Sequence, residues 1–193
     1  MAFYRALESE RSNALFHDPY ARQCAGARGA ALAHALPSID VASAVVAQRT
    51  AVFDELILRT VTRGGIDAVL NLAAGFGTRA YHLPLPRDLQ WLDVDLPQVI
   101  AERQLVLSGA VAHCQVDMVA MDVTDREARR LLFGRINNER LRLLVVTEGL
   151  LLYLAPREVA DLAADLHAAP CFAFWLTDLM SPMVREVETE IRT

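Results

Sequence analysis

The chain has 193 residues, of which 53% are hydrophobic and 22% charged, and this composition excludes both intrinsic disorder and a small disulfide scaffold. The 24 acidic residues outnumber the 19 basic ones and give a net charge of -5, which argues against binding to nucleic acid. All the basic residues except histidine are arginine, so chemistry that needs a lysine is excluded. We predict a single domain over residues 1–193, with an N-terminal helical cap over 1–63 and a core over 64–193.

The three cysteines, Cys24, Cys114 and Cys171, are far apart in the sequence, so we expect buried, inert thiols in a reducing compartment. No stretch of about 18 residues is free of charge, and the charged N-terminus does not resemble a signal peptide. We therefore expect a cytoplasmic protein that does not contact a membrane. The histidines lack ligand spacing, and we expect no metal site.

Two helices are predicted first, over 22–34 and from 39 to about 61, because these segments are rich in alanine or repeat apolar residues every three to four positions. Five short apolar runs then alternate with helical segments. The predicted strands are 67–73, 89–96, 113–122, 141–149 and 171–179, and the predicted helices between them are 97–107, 124–133 with Thr124 as N-cap, and 156–168. This alternation predicts an α/β fold with an open, mostly parallel sheet, which binds ligands at the carboxyl ends of its strands.

Residues suited to ligand binding follow four successive predicted strands. The first strand leads into a loop of small residues around Gly75, where the backbone can approach a ligand closely. Asp95 lies twenty residues further on, the spacing of a carboxylate that accepts both hydroxyls of a ribose. Asp122 with Val123 and Glu148 with Gly149 end the next two strands. The combination predicts a nucleoside-type cofactor.

Spacing alone leaves two classes of cofactor open. Residues 75–80 fit the dinucleotide fingerprint G-x-G-x-x-A, so an NAD-dependent oxidoreductase fragment stays open as an alternative. However, Pro84 and Pro86 follow soon after the loop, where the fingerprint needs a long helix whose N-terminus holds a pyrophosphate. A cofactor without phosphates is therefore favoured.

The chain resembles the leucine carboxyl methyltransferase family of class I S-adenosylmethionine-dependent methyltransferases, which includes bacterial O-methyltransferases of secondary metabolism. The resemblance lies in FHDPYA (16–21), Arg49-Thr50, the loop 71–79 with Tyr81, WLDVDLP (91–97), Asp122-Val123 and EGLLLYL (148–154). It implies a Rossmann-like fold, S-adenosyl-L-methionine as cofactor, and methyl transfer to a carboxylate or hydroxyl of a small-molecule acceptor.

The resemblance also implies a role for individual residues. Arg49 would bind the methionine carboxylate and Glu148 the ammonium group, while Asp95 would hold the ribose hydroxyls. Tyr153 would lie near the transferred methyl group and help to hold the acceptor, although packing in the core is an open alternative for it. The implied catalytic residues are Tyr153 and Arg49, and the implied cofactor-binding residues are Arg49, Ala73, Ala74, Gly75, Thr78, Asp95, Leu96, Asp122, Val123, Glu148 and Gly149.

This sequence departs from the family pattern in three respects. The family usually has glycine where this chain has Ala73, and aspartate where it has Gly77; a methyl group at Ala73 would crowd the cofactor if the backbone there has positive φ. Family members also continue with two more strands and a lid. We therefore expect a cofactor-binding core that lacks C-terminal strands and full activity. We also expect either a longer native polypeptide or a fifth strand that is covered by another copy or a partner. A catalytically inactive binding subunit is a further alternative.

Overall fold

The computed structural model describes residues 1–35, 39–139 and 141–179, and its centre is a five-stranded sheet. The strands run in the order β3-β2-β1-β4-β5, and every neighbouring pair is parallel. Each strand lies inside its predicted range, so the Rossmann-like α/β fold is confirmed. The strands are β1 Ala68–Leu72, β2 Gln90–Asp95, β3 Gln115–Ala120, β4 Leu143–Thr147 and β5 Phe172–Thr177.

Seven α-helices and one short 3₁₀ helix surround the sheet in the described residues. The sequence analysis missed α1, α4 and the 3₁₀ helix, whereas the other helices begin within two residues of their predicted starts. The helices are α1 Ala2–Ser9, α2 Ala21–Ala35, α3 Ile39–Gly64, α4 Arg79–His82, α5 Pro97–Val106, α6 Arg126–Asn138 and α7 Pro156–His167, and the 3₁₀ helix is Leu151–Tyr153.

The N-cap of α6 is Asp125, and the prediction of Thr124 was wrong. The Asp125 carboxylate accepts hydrogen bonds from the backbone N–H groups of Glu127 and Ala128, both at 3.0 Å, and so satisfies two donors of the first helical turn. The Thr124 hydroxyl instead donates to Asp122 Oδ1 at 2.7 Å. Asp125 therefore caps the helix, whereas Thr124 binds the acidic residue that follows β3.

The apolar core has two halves because successive strand side chains point to opposite faces of the sheet. On one face Val69, Trp91 and Val146 belong to a buried cluster with residues of α3. On the other face Leu70 and Val94 belong to a cluster with residues of α6 and α7. The helical partners are Phe53, Ile57 and Val61 on α3, Phe133 and Ile136 on α6, and Leu162 and Leu166 on α7.

A third cluster joins the N-terminal helices to one another. It contains Phe3 and Tyr4 of α1, Ala33 of α2 and Val46 of α3. The division into a cap over 1–63 and a core over 64–193 stays a prediction, since α3 contributes both to this cluster and to the core of the sheet.

The position of β1 between β2 and β4 creates a switch point in the sheet. The chain adds β2 and β3 on one side of β1, and β4 and β5 on the other. Connections leaving β1 and β4 therefore diverge, and they open a crevice at the carboxyl ends of these strands. None of the helices in the described ranges is long and apolar enough to span a bilayer.

The sheet has two edge strands, β3 and β5; β5 pairs with β4 on one side, and the described residues place no strand on its other side. Phe174 and Trp175 remain 43% and 36% exposed. The C-terminal strands that we expected to be absent would follow residue 179, and residues 180–193 lie outside the described part of the chain.

Candidate functional site

A cavity of about 350 Å³ lies at the switch point, within the size range of small-molecule sites. It is lined by the loop that follows β1 and α4 after that loop, by the loop that follows β4 and the 3₁₀ helix after it, and by parts of α1 and α3. The implied cofactor residues among its lining are Arg49, Ala73, Ala74, Gly75, Thr78, Glu148 and Gly149, and Tyr153 lies at the same cavity.

The loop after β1 turns through two residues with positive φ. Gly75 has φ 53° and Ala73 has φ 55°, and Ala73 is the one non-glycine residue with positive φ in the described ranges. A hydrogen bond of 3.0 Å from Gly77 N–H to the Ala74 carbonyl closes the turn. The backbone at Ala73 thus has the positive φ at which we expect its methyl group to crowd the cofactor. The left-handed conformation also costs an L-residue roughly 1–2 kcal/mol.

Asp95 is fixed beside this loop by two backbone donors. Its Oδ2 accepts from Gly75 N–H at 2.6 Å, and its Oδ1 accepts from Leu96 N–H at 2.7 Å. A carboxylate oxygen can accept two hydrogen bonds, so each oxygen has capacity for one more donor. The side chain can therefore accept two further hydrogen bonds while its position stays fixed.

Asp93, two residues earlier, is fully buried and serves the fold instead. It pairs with the buried Arg103 and accepts hydrogen bonds from Trp91 Nε1 at 2.8 Å and Asn71 Nδ2 at 2.7 Å. Arg103 also donates to the Gly75 carbonyl at 2.8 Å. The pair therefore connects α5 and β2 to the loop and supports its geometry.

Arg49 and Glu148, which the sequence places 99 residues apart, form an ion pair in the cavity. Arg49 Nε donates to Glu148 Oε1 at 2.8 Å, and Arg49 Nη1 donates to Asp178 Oδ2 at 3.2 Å. Asp178 also accepts from Gly149 N–H at 2.7 Å. Gly149 has φ 67°, and a Cβ there would lie 3.4 Å from Arg49 Nη1, so glycine permits the close approach.

A second arginine, Arg79, extends this ion pair into a network. Its Nη1 donates to Glu148 Oε2 and its Nε to Asp54 Oδ1, both at 2.6 Å. Burial alone would raise the pKa of Glu148, but the guanidinium groups of Arg79 and Arg49 outweigh it and lower that pKa. Glu148 is therefore ionised at neutral pH.

Asp18 ties the N-terminal segment to the loop after β1. It accepts hydrogen bonds from Arg5 Nε at 3.0 Å and from the Thr78 hydroxyl at 2.6 Å, and Arg5 Nη2 donates to the Phe76 carbonyl at 2.6 Å. Burial would raise the pKa of Asp18, but Arg5, Thr78 and His82 outweigh it and lower that pKa. Thr78 thus lines the cavity while its hydroxyl is bound to Asp18.

Four implied cofactor residues, Asp95, Leu96, Asp122 and Val123, lie beyond the lining of this cavity. They end or follow β2 and β3, which are neighbours in the sheet, and Asp95 reaches the lining through its hydrogen bond from Gly75. Asp122 is exposed, and its hydrogen bonds from Thr124 lower its pKa. Both of these bonds use Oδ1, which leaves Oδ2 to accept from a ligand. The implied contact of these residues with the cofactor stays a prediction.

Tyr153 lies in the 3₁₀ helix and lines the cavity, with 67% of its surface exposed. Core packing, the open alternative, is therefore wrong for this residue. Its proposed contact with an acceptor stays a prediction.

The sequence analysis missed four charged residues at or beside the cavity: Arg5, Asp54, Arg79 and Asp178. Asp178 follows β5 directly and repeats the pattern of acidic residues at strand ends, so that pattern could have found it. The other three are assigned to the site only by their partners, which lie 13 to 71 residues away in the sequence.

Comparison with known proteins identifies the family. The model of the leucine carboxyl methyltransferase family matches residues 1–167. A protein of Frankia alni with the name "Putative S-adenosyl-L-methionine-dependent methyltransferase" is 36% identical over 171 residues, which are 84% of this chain and 60% of that protein. A protein of Streptomyces coelicolor with the same kind of name is 32% identical over 173 residues, with the same coverage.

The fold also matches the crystal structure of a DUF574 family protein from Streptomyces avermitilis. The TM-score is 0.52 at 12% identity, and the match covers 87% of this chain and 62% of that one. The chain spans about 60% of the length of the curated relatives from Frankia alni and Streptomyces coelicolor. Because the family model matches most of its residues, the chain belongs to the leucine carboxyl methyltransferase family.

Proposed function

We propose that this chain binds S-adenosyl-L-methionine at the switch-point cavity and that the protein transfers the methyl group to an oxygen of a small molecule. The observation that carries the proposal is the Arg49–Glu148 pair, whose N–O distance is 2.8 Å. A guanidinium and a carboxylate side by side complement the carboxylate and ammonium groups of a free amino acid. The names of the relatives support the same cofactor.

The residues present fit this cofactor at two further points. Asp95, beside the loop after β1, can accept two more hydrogen bonds, as a ribose with two free hydroxyls requires. The network around Arg49 and Arg79 contains three carboxylates, those of Asp54, Glu148 and Asp178, and two guanidinium groups. Of these groups the Glu148 carboxylate lines the cavity, where it can accept from the ammonium group of the cofactor.

S-adenosyl-L-methionine supplies a methyl group on a positively charged sulfur, which an oxygen displaces in line. The chain's own contribution is to bind, orient and exclude water. Arg49 and Glu148 would hold the methionine end of the cofactor, and Tyr153 at the cavity would help to hold the acceptor. An ionised carboxylate acceptor needs no general base, whereas a hydroxyl acceptor would have to lose its proton during transfer.

The structure does not favour NAD, the alternative cofactor. The helix after the glycine loop, α4, has four residues, Arg79–His82, and the chain then becomes extended at Leu83. A pyrophosphate is usually held at the N-terminus of a full helix in this position.

Methyl transfer from labelled cofactor to a panel of carboxylic acids and phenols tests the proposal. We expect slow release of S-adenosylhomocysteine that depends on the acceptor and is lost in Asp95→Ala. The Arg126→Gln variant is a matched control, because Arg126 is an exposed surface residue on α6. Binding of the cofactor without transfer to any acceptor would contradict the enzymatic proposal and favour the inactive binding subunit.

A further inference from the structure

Arg79 is a buried cation between two carboxylates that come from distant parts of the chain. It is 7% exposed, and its guanidinium donates to Asp54 of α3 and to Glu148 after β4, at 2.6 Å each. The Phe53 ring lies 5.6 Å from the guanidinium carbon. Two charged hydrogen bonds and an aromatic neighbour leave this side chain little freedom to reorient.

Arg79 and Arg49 bind different oxygens of Glu148. Arg49 holds Oε1 at 2.8 Å and Arg79 holds Oε2 at 2.6 Å, so the carboxylate is fixed at both ends. Each oxygen keeps capacity for one more donor, and the residue lines the cavity. The arrangement is that of a pre-oriented acceptor for a cationic group.

Arg49 alone would hold Glu148 less firmly, because it is shared. The same guanidinium binds Asp178, and under the proposed function it also binds the methionine carboxylate. Arg79 has a second partner, Asp54, which accepts a hydrogen bond from its Nε at 2.6 Å and anchors it independently of Arg49. Arg79 can therefore keep Glu148 in place while Arg49 binds a ligand.

We propose that Arg79 is a positioning residue that fixes the Glu148 carboxylate to receive the ammonium group of the cofactor. The inference rests on the proposed function. It assigns Arg79 an effect on the amino-acid end of the ligand and none on the adenosine end. A purely structural ion pair would affect both ends equally through the stability of the fold.

Calorimetric binding of two ligands separates these roles. S-adenosylhomocysteine carries the ammonium and carboxylate groups, whereas 5′-methylthioadenosine has the same adenosine and thioether without them. The variants are Arg79→Gln, Arg79→Lys, which keeps the charge but not the fork of donors, and the surface control Arg126→Gln. Asp54→Asn removes the second anchor of Arg79 and should give a weaker form of the same effect.

We expect Arg79→Gln to weaken the binding of S-adenosylhomocysteine at least tenfold, which is the scale of a lost charged hydrogen bond. The same variant should change the binding of 5′-methylthioadenosine less than twofold. Loss of Arg79 should also raise the pKa of Glu148, because Arg79 and Arg49 lower it now. The acidic limb of S-adenosylhomocysteine binding should therefore move to higher pH in Arg79→Gln and stay in place in Arg79→Lys.

Equal losses for the two ligands would overturn the positioning role while leaving the proposed function intact. Failure of the unaltered chain to bind S-adenosylhomocysteine would refute the proposed function and the positioning role together. If Arg79→Gln does not fold, Arg79→Lys decides the question: the proposal predicts a selective loss of S-adenosylhomocysteine affinity, and no selective loss would overturn it.

Discussion

Asp95 and Asp93 lie on the same strand, yet the structure gives them opposite roles. Asp95 is partly exposed and bound to two backbone N–H groups beside the cavity, whereas Asp93 is buried against Arg103. Asp95→Ala should weaken the binding of S-adenosylhomocysteine by about 1.5–3 kcal/mol, the range for hydrogen bonds to a charged group. The melting temperature should change little.

Asp93→Ala is the matched comparison, because it removes the same chemical group two residues away. It leaves Arg103 buried without its charge partner, and we expect a loss of about 3–5 kcal/mol in the free energy of unfolding. Calorimetry and urea denaturation of both variants measure the two effects. Equal losses of affinity with equal losses of stability would show that the roles are assigned wrongly.

Ala73→Gly should stabilise the chain. Ala73 has φ 55°, which costs an L-residue roughly 1–2 kcal/mol, and the greater freedom of glycine in the unfolded state returns only part of that. We expect a net gain of about 0.5–1 kcal/mol by urea denaturation. Ala74→Gly is the control, because Ala74 lacks positive φ and the same substitution should destabilise there. Destabilisation by both would contradict the strain at Ala73.

The predicted and missed site residues differ in how their roles are determined. Asp95, Glu148 and the residues of the loop follow strands directly, so the strand pattern alone places them at one edge of the sheet. Arg5 and Arg79 occupy helices, and arginine is usually exposed. Their burial depends on partners that only the folded chain brings near, which no local pattern reveals.

At the scale of elements, Asp18 holds the segment before α2 against the loop after β1 through Arg5 and Thr78. Its folded pKa is lowered, so its ionisation stabilises the fold above the ordinary carboxyl pKa, near 4. This stabilisation should be lost as the pH falls through the lower, folded value. Asp18→Asn should therefore destabilise the chain at neutral pH and reduce the loss of stability below about pH 4.

Urea denaturation between pH 2.5 and 7 measures this dependence, in steps of roughly half a unit around the ordinary carboxyl pKa. Asp88→Asn, an exposed acid in the loop before β2, is the control and should leave the pH profile unchanged. An Asp18→Asn profile parallel to that of the unaltered chain would mean that this carboxylate does not connect the two elements energetically.

The strands could be predicted more reliably than the first helix. Apolar runs bounded by glycine, proline and acidic residues give all five strands to within a few residues. The central strands β1 and β4 are buried at every position, as a continuous apolar run predicts, whereas the edge strands β3 and β5 are only partly buried. Helix α1 buries Arg5 and Glu8 beside its aromatic residues. Arg5 is paired with Asp18 and Glu8 accepts from Leu15 N–H, and these contacts cannot be inferred from the helix's own sequence.

The edge strand β5, with its partly exposed aromatic side chains, is the surface where we expect the chain to associate with a second copy or a partner. Phe174 and Trp175 are 43% and 36% exposed on this strand, and strand edges of this kind are usually covered. We expect light scattering of the unaltered chain to give a mass above that of the monomer. Phe174→Glu should reduce this mass. Leu131→Glu, at an exposed position on α6, should not. A monomer at all concentrations would contradict this expectation.

A thermal-shift titration of the unaltered chain shows whether the switch-point cavity binds S-adenosyl-L-methionine. S-adenosyl-L-methionine and S-adenosylhomocysteine should each stabilise the chain, by about 2.7 kcal/mol at one hundred times the dissociation constant. NAD should give no shift, and Asp95→Ala should lose most of the response. Stabilisation by NAD alone, or an undiminished response in Asp95→Ala, would contradict the assignment of this cofactor to this cavity.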